Sequence, residues 1–133
     1  MNLRHTLAVA LTVAIVLASR SFAAEPTKES LAEVKRAIDE KQAVLVDVRE
    51  KREWDGGHVQ GAIFLPLSEL QGRIDAGRLK AKLPKDKILY THCAVGKRAV
   101  TAGTILEKHG YEVRCLTPGY KELLGAGFEK AKN

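Results

Sequence analysis

The groups best suited to chemistry lie in seven consecutive residues, His92-Cys93-Ala94-Val95-Gly96-Lys97-Arg98. Cys93 directly follows an apolar strand pattern, Ile88 to Thr91, and precedes a helical pattern from Ala99 to His109. A sulfur at the carboxyl end of a strand, followed by a glycine loop and a helix, meets converging backbone N–H groups and the positive end of a helix dipole. Both stabilise a thiolate. Lys97 and Arg98 add positive charge, so the spacing predicts a cysteine pKa lowered from about 8.5 toward neutrality. The plainer alternative is a small buried hydrophobe closing a strand; the loop favours a nucleophile. Ala94 to Arg98 would then supply amide donors around a soft anion, as an oxyanion hole does for oxygen. Lys97 and Arg98 are the candidates for attracting an anionic substrate, although a solvated cation at a helix start is the alternative for either.

Other reactive types are more scattered. Asp47 and Arg49 stand at the carboxyl end of a neighbouring valine-rich strand, the correct edge of a sheet to orient the cysteine loop; a plain surface ion pair is the alternative. His58 is expected to fix the turn before the next strand. His92 adjoins the nucleophile, but successive strand residues point to opposite faces, which places it badly as a general base. His109 suits the carboxyl end of its helix as a dipole partner. Cys115 falls in a strand expected to be buried, so an inert core thiol is the first reading, with a disulfide to Cys93 as the rival. The four histidines and two cysteines lack metal-site spacing.

These residues require a scaffold of alternating strands and helices. Ser30-Leu31-Ala32-Glu33 has the form of a capping box at a helix start, continued by Val34 and Ile38. Ala43 to Val48 is an uninterrupted apolar run, the mark of a strand buried on both faces in a parallel sheet. Ala62 to Leu65 reads as a second strand ending at Pro66. Ser68-Glu69-Leu70-Gln71 repeats the capping-box form and predicts a helix that Gly72 and Gly77 keep short. Ala99, Ala102, Gly103 and Leu106 share one helix face, and Gly110 suits a left-handed C-cap. Val113 to Leu116 gives a fourth strand and Tyr120 to Ala126 a last helix. The expected fold is α/β, a single domain with a doubly wound, mainly parallel sheet and helices on both faces.

Composition sets the remaining bounds. The 133 residues are 45% hydrophobic and 29% charged, which excludes a disordered polymer, and two cysteines cannot form a disulfide scaffold. The formal charge of +6 comes from 22 basic and 16 acidic residues that are interspersed, so nucleic-acid binding is not expected. Arg4 and His5 precede an apolar run from Leu7 to Ala18, followed by Ser21-Phe22-Ala23 with small residues at −3 and −1. That pattern predicts a secretory signal cleaved after Ala23. The run falls short of the roughly 18 to 20 apolar residues of a membrane anchor, and no cysteine nearby would carry lipid. Cleavage would leave 110 residues with charge +4, since Arg4 and Arg20 leave with the segment. A bacterial periplasm is the expected compartment, with no membrane association after cleavage. The expected organisation is residues 1–23 signal, 24–29 lead-in, 30–128 domain and 129–133 tail.

The chain resembles the rhodanese family of sulfurtransferases. Cys93-x-x-Gly96-x-Arg98-Ala99 matches the family's active-site pattern, and Asp47-Val48-Arg49, Glu53-Trp54 and Gly57-His58-Val59-Gln60-Gly61-Ala62 match a second signature upstream. A signal before a lone domain resembles the periplasmic, phage-shock type. The resemblance implies a rhodanese-like domain in which Cys93 takes a sulfane sulfur from a small anionic donor such as thiosulfate. The resulting persulfide would pass it to a thiophilic acceptor, cyanide or a thiol, without metal or organic cofactor. Two departures stand out. Pro118-Gly119 and Leu123 replace the paired glycines and tryptophan often found there, and Glu53 stands where some thiosulfate-using tandem rhodaneses carry arginine.

Two other classes compete with a sulfurtransferase. A thiol redox or sulfur-carrier module with little turnover would use the same scaffold for recognition. A cysteine phosphatase or arsenate reductase needs Cys-x5-Arg around a tetrahedral oxyanion, and the Cys93 to Arg98 spacing is one residue shorter. Oligomeric state is not legible in the sequence.

Overall fold

The computed structural model describes residues 24–132, so the expected signal at 1–23 lies outside the described residues. Four strands form one parallel sheet: β1 Ala43–Asp47, β2 Ile63–Phe64, β3 Ile88–His92 and β4 Val113–Cys115, in the order β2-β1-β3-β4. The helices are α1 Leu31–Asp39, α2 Lys51–Asp55, α3 Leu67–Gln71, α4 Ala76–Lys82, α5 Lys97–Lys108 and α6 Tyr120–Gly125. Among the described residues, no helix is long and apolar enough to cross a membrane.

Strand alternation sends side chains to two separate cores. Val46, Val48 and Leu89 pack with Leu70, Leu79, Ala99, Ala102 and Leu106 beneath α3, α4 and α5. On the other face Ala43, Leu45 and Tyr90 pack with Val34 and Leu123 beneath α1 and α6. The doubly wound arrangement expected from strands alternating with helices is therefore present. The lead-in is not loose: Pro26 bridges Cys115 in parallel and the Thr27 N–H donates to the Cys115 carbonyl at 2.8 Å. It covers the free edge of β4, which would otherwise expose unpaired backbone.

Local signals decide most of the ends. Ser30 and Glu33 form the expected reciprocal capping box on α1. Gly110 takes φ +85° just past α5, the left-handed turn expected there. Helix α3 does open beside Ser68, but its cap is Pro66 without a side-chain bond. Ser68 is drawn elsewhere: its hydroxyl donates to Glu50 Oε2 at 2.6 Å and its N–H to Glu50 Oε1 at 3.2 Å. Gly72 ends α3 as expected, whereas Gly77 lies inside a separate helix, α4, capped by Asp75.

Candidate active site

The carboxyl ends of β1 and β3 place the candidate residues together. Asp47 and His92 are register partners at the ends of those strands, and Cys93 is the next residue of the chain. Thr91 fastens strand to helix, donating its hydroxyl to the Ala99 carbonyl at 3.0 Å. Helix α5 starts at Lys97, two residues earlier than the apolar spacing indicates, so Lys97 and Arg98 belong to its first turn. The intervening turn closes at Gly96, whose φ of +92° favours glycine; a Cβ there would lie 3.2 Å from the Thr117 Cα and carbonyl oxygen.

The Gly96 N–H donates to Cys93 Sγ at 3.1 Å. That bond is the one backbone contact to the sulfur among the described hydrogen bonds, fewer than the several amides expected. Cys93 is also fully covered, with 0% exposure, while Ala94 and Val95 beside it are exposed. The loop is held from below by α6. The Tyr120 N–H donates to the Cys93 carbonyl at 3.2 Å, and a Cβ on Gly119 would stand 1.9 Å from the Ala94 carbonyl oxygen. Only glycine fits so close to another backbone. Pro118-Gly119, a departure from the common pattern, is therefore the point where α6 meets the cysteine loop; neither Gly119 nor Tyr120 stood out as a site residue in the sequence.

Asp47 and Arg49 are not the surface ion pair of the alternative reading. Both are buried, and Arg49 donates Nε and Nη2 to the Asp47 carboxylate, the latter at 2.8 Å, and Nη2 also to the Gly57 carbonyl at 2.8 Å. The guanidinium lies 4.3 Å from the centre of the Tyr120 ring. Arg49 thus joins the end of β1, the turn at Gly57 and the start of α6. His58 sits in that turn, stacked on Trp54 at 3.6 Å with Nδ1 3.2 Å from the Trp54 carbonyl. Its described contacts are with Trp54, four residues earlier.

His92 Nε2 approaches Asp47 Oδ2 at 3.5 Å, and neither ring nitrogen has a hydrogen-bond partner. Burial pushes the imidazole pKa down, with the nearby Asp47 acting against it. By strand alternation Asp47 and His92 fall on the face of Ala43, Leu45 and Tyr90, whereas Cys93 packs with Val46, Val48 and Ala99 beneath α5. Arg98 departs from expectation. Its two terminal nitrogens grip the Glu53 carboxylate at 2.6 and 2.9 Å, and this pairing holds Glu53 below the usual carboxylate range and raises Arg98. Lys97 is exposed and has no ion-pair partner among the described residues. Cys115 is buried and free, as is Cys93, so no disulfide joins them; burial pushes the Cys115 thiol up. No group of three potential metal ligands occurs among the described residues.

Residues 30–126 match the family described as Rhodanese-like domain. The chain belongs to this family. It is 37% identical to the uncharacterized protein YqhL of Bacillus subtilis over 62% of this chain and 61% of that one. YrkF of the same organism, named as a candidate sulfur carrier, is 28% identical over 72% of this chain and 50% of its own length. The chain thus spans about three-fifths or less of these curated relatives. The fold is similar to that of the human single-domain sulfurtransferase TSTD1, with TM-score 0.60 and 28% identity, covering 76% of this chain and 96% of that one. This rhodanese-like domain therefore has relatives named both for sulfur transfer and for sulfur carriage.

Proposed function

We propose that the protein is a sulfurtransferase that moves a sulfane sulfur from an anionic donor, thiosulfate being the simplest, to cyanide or a thiol. The supporting observation is the position of Cys93, at the end of β3 with the Gly96 N–H donating to its sulfur. The Cys93 thiolate attacks the outer sulfur of thiosulfate; the S–S bond breaks and sulfite leaves with the electron pair. The product is a Cys93 persulfide. The acceptor then attacks the outer sulfur and returns Cys93 as a thiolate, so no external oxidant or reductant is consumed. Asp47, Arg49 and Tyr120 act as positioning residues, through the bond from the Tyr120 N–H to the Cys93 carbonyl. Because the sulfur is covered, uptake requires a movement that exposes it.

One observation favours the alternative of a sulfur-carrier module with little turnover. Arg98, in the first turn of α5, is held by Glu53 and not free for a donor anion. Intact mass decides between them: thiosulfate adds one sulfur to the chain but not to Cys93→Ser, and cyanide removes it as thiocyanate over many turnovers. Uptake followed by a single discharge means a carrier. No uptake removes both readings. We further place the protein in the periplasm, on the Leu7 to Ala18 run and the Ser21-Phe22-Ala23 site. Amino-terminal sequencing of the exported protein should begin at Ala24, and retention of Met1 in a cytoplasmic fraction would refute the placement.

A further inference from the structure

The edge of β1 that faces β2 is only partly paired. The Ile88 N–H donates to the Gln42 carbonyl and the Val48 N–H to the His92 carbonyl, so the even-numbered residues of β1 bond toward β3 and Ala43, Leu45 and Asp47 face the β2 side. Strand β2 meets β1 only at Val46 and Asp47. Before that point Gly61, at φ +80°, and a bond from the Ala62 N–H to the Val59 carbonyl keep the chain in a turn. The Ala43 N–H and carbonyl and the Leu45 N–H therefore have no partner among the described hydrogen bonds, although the two residues are only 2% and 3% exposed. Buried backbone groups left unpaired are rare in folded proteins.

A cleft of about 420 Å³ opens along this stretch, lined by Ala43 and Leu45 themselves. Ile38, Val59 and Phe128 give it apolar walls, and Lys41 and Lys87 stand where β1 begins, since Lys87 adjoins Ile88, the register partner of Ala43. The remaining charged residue of the cleft, Asp39, is paired with Lys35 at 2.8 Å, whereas neither lysine has an ion-pair partner among the described residues. The cleft thus combines backbone donors, apolar walls and two cations at one end.

We propose that this edge docks the carboxyl-terminal tail of a partner protein as an added strand. Ala43 to Leu45 offers room for about three residues, roughly 10 Å of strand, before Ile63 takes over the edge. A strand cannot run straight through, so a chain end fits best. A tail entering over Gly61, where a Cβ would meet nothing within 4 Å, runs antiparallel to β1 and ends between Lys41 and Lys87. It accepts from the Ala43 and Leu45 N–H groups, donates to the Ala43 carbonyl, and lays an apolar side chain against Val59 and Phe128, while its terminal carboxylate meets the two ammonium groups. Cys93 follows the carboxyl end of β3, at the opposite end of the sheet, so a docked partner leaves its loop uncovered. The inference is independent of sulfur transfer.

The full chain, labelled with nitrogen-15, is titrated with the peptide acetyl-Ser-Val-Thr-Val bearing a free carboxylate, with its carboxyl-terminal amide, and with a copy N-methylated at the last residue. The carboxylate peptide is expected to shift the Ala43, Leu45 and Gly61 amides saturably and leave Gly96 unmoved. At ten times its Kd it should slow hydrogen exchange of the Ala43 and Leu45 N–H groups about tenfold. The amide form should bind about fivefold to tenfold more weakly, as two exposed charge pairs allow, and the N-methylated copy at least about tenfold more weakly, because it cannot donate to the Ala43 carbonyl. Lys41→Glu with Lys87→Glu should make the amide form the tighter ligand, an inversion that a merely destabilised chain would not show. Equal binding of carboxylate and amide by the parent chain overturns the assignment of a chain end, and equal binding of the N-methylated copy overturns strand addition. If no peptide protects Ala43 and Leu45, the lysines only guard the edge against pairing and the proposal fails. It fails equally if the same amides shift with protein concentration alone, since a second copy then covers the edge.

Discussion

Cys93 and Cys115 are both buried and both free, and both lie on the side of the sheet that α5 covers, yet their surroundings differ. Cys115 ends β4 against α5, so close to Gly103 that a Cβ there would fall 2.4 Å from its sulfur. Burial is the largest influence on it and pushes its thiol up, with the Thr91 side chain acting in the opposite direction. Cys93 has left its strand. Its sulfur faces the Gly96 N–H, its carbonyl accepts from Tyr120, and a buried Asp47–Arg49 pair stands behind that helix start. Burial alone therefore does not define a reactive sulfur; what separates the two is a backbone donor and a polar scaffold at the end of a strand.

Exchanging the roles of the two thiols gives the largest expected effect. Cys93→Ser should abolish sulfur uptake, a loss of at least about a thousandfold, because nothing else in the loop can carry the sulfur. Cys115→Ala should retain uptake and lower stability by about 1 kcal/mol through a small cavity. Intact mass and urea midpoints read both. If Cys115→Ala also stops uptake, the second thiol is part of the reaction and the contrast fails.

Removing the polar scaffold comes next. Arg49→Met leaves the Asp47 carboxylate buried without its partner, at a cost of about 3–5 kcal/mol. Changing both, Asp47→Leu with Arg49→Met, should recover much of that stability while leaving the Cys93 loop without its anchor at Gly57 and Tyr120. Sulfur uptake should then stay slow despite regained stability. Full recovery of uptake would reduce the pair to a packing element with no bearing on Cys93.

The two regions should also fail at opposite ends of the pH scale. His92 has a folded pKa below its ordinary 6.5, so the unfolded chain binds the proton first; stability is full above 6.5 and falls as the pH drops toward the folded value. Cys115 has a folded pKa above its ordinary 9.0, so its contribution is full below 9.0 and is lost as the pH rises toward the folded value. Urea midpoints should accordingly decline on both flanks. His92→Phe should flatten the acid flank alone and Cys115→Ala the alkaline flank alone. A variant that flattens the wrong flank would show that other groups govern it.

The parts of this fold legible in the sequence are those with strong local signals. A valine-rich run marked β1, a short apolar run from Ile88 marked β3, Ser30 and Glu33 marked the start of α1, and Gly110 marked the end of α5. Helix α2 carried no such mark, because Lys51–Asp55 buries no residue and shows no apolar period. Ser68 misled as a cap because Glu50, 18 residues earlier, takes its hydroxyl. The site divides in the same way. The cysteine, its glycine and its place after a strand are contiguous and could be read; the grip of Glu53 on Arg98 spans 45 residues, and the approach of Gly119 to Ala94 exists only once α6 is docked.

That long-range grip supplies the smallest and most discriminating change. Arg98 is poised on the first turn of α5 but its guanidinium is committed to Glu53, and both side chains remain about one-third exposed. Such a pair contributes little to stability, so Glu53→Gln should shift the urea midpoint by no more than about 0.5 kcal/mol. Its consequence for a donor anion is larger than its consequence for the fold. The amide cannot hold the guanidinium by charge, Arg98 becomes available to thiosulfate, and the KM for that donor should fall about threefold to fivefold while uncharged donors are unaffected. Arg98→Gln, by contrast, should raise the thiosulfate KM little, since in the parent chain the cation is already neutralised. If Glu53→Gln leaves the thiosulfate KM unchanged, Arg98 lies outside the donor's path, and Lys97 alone carries the attraction of the loop for anions.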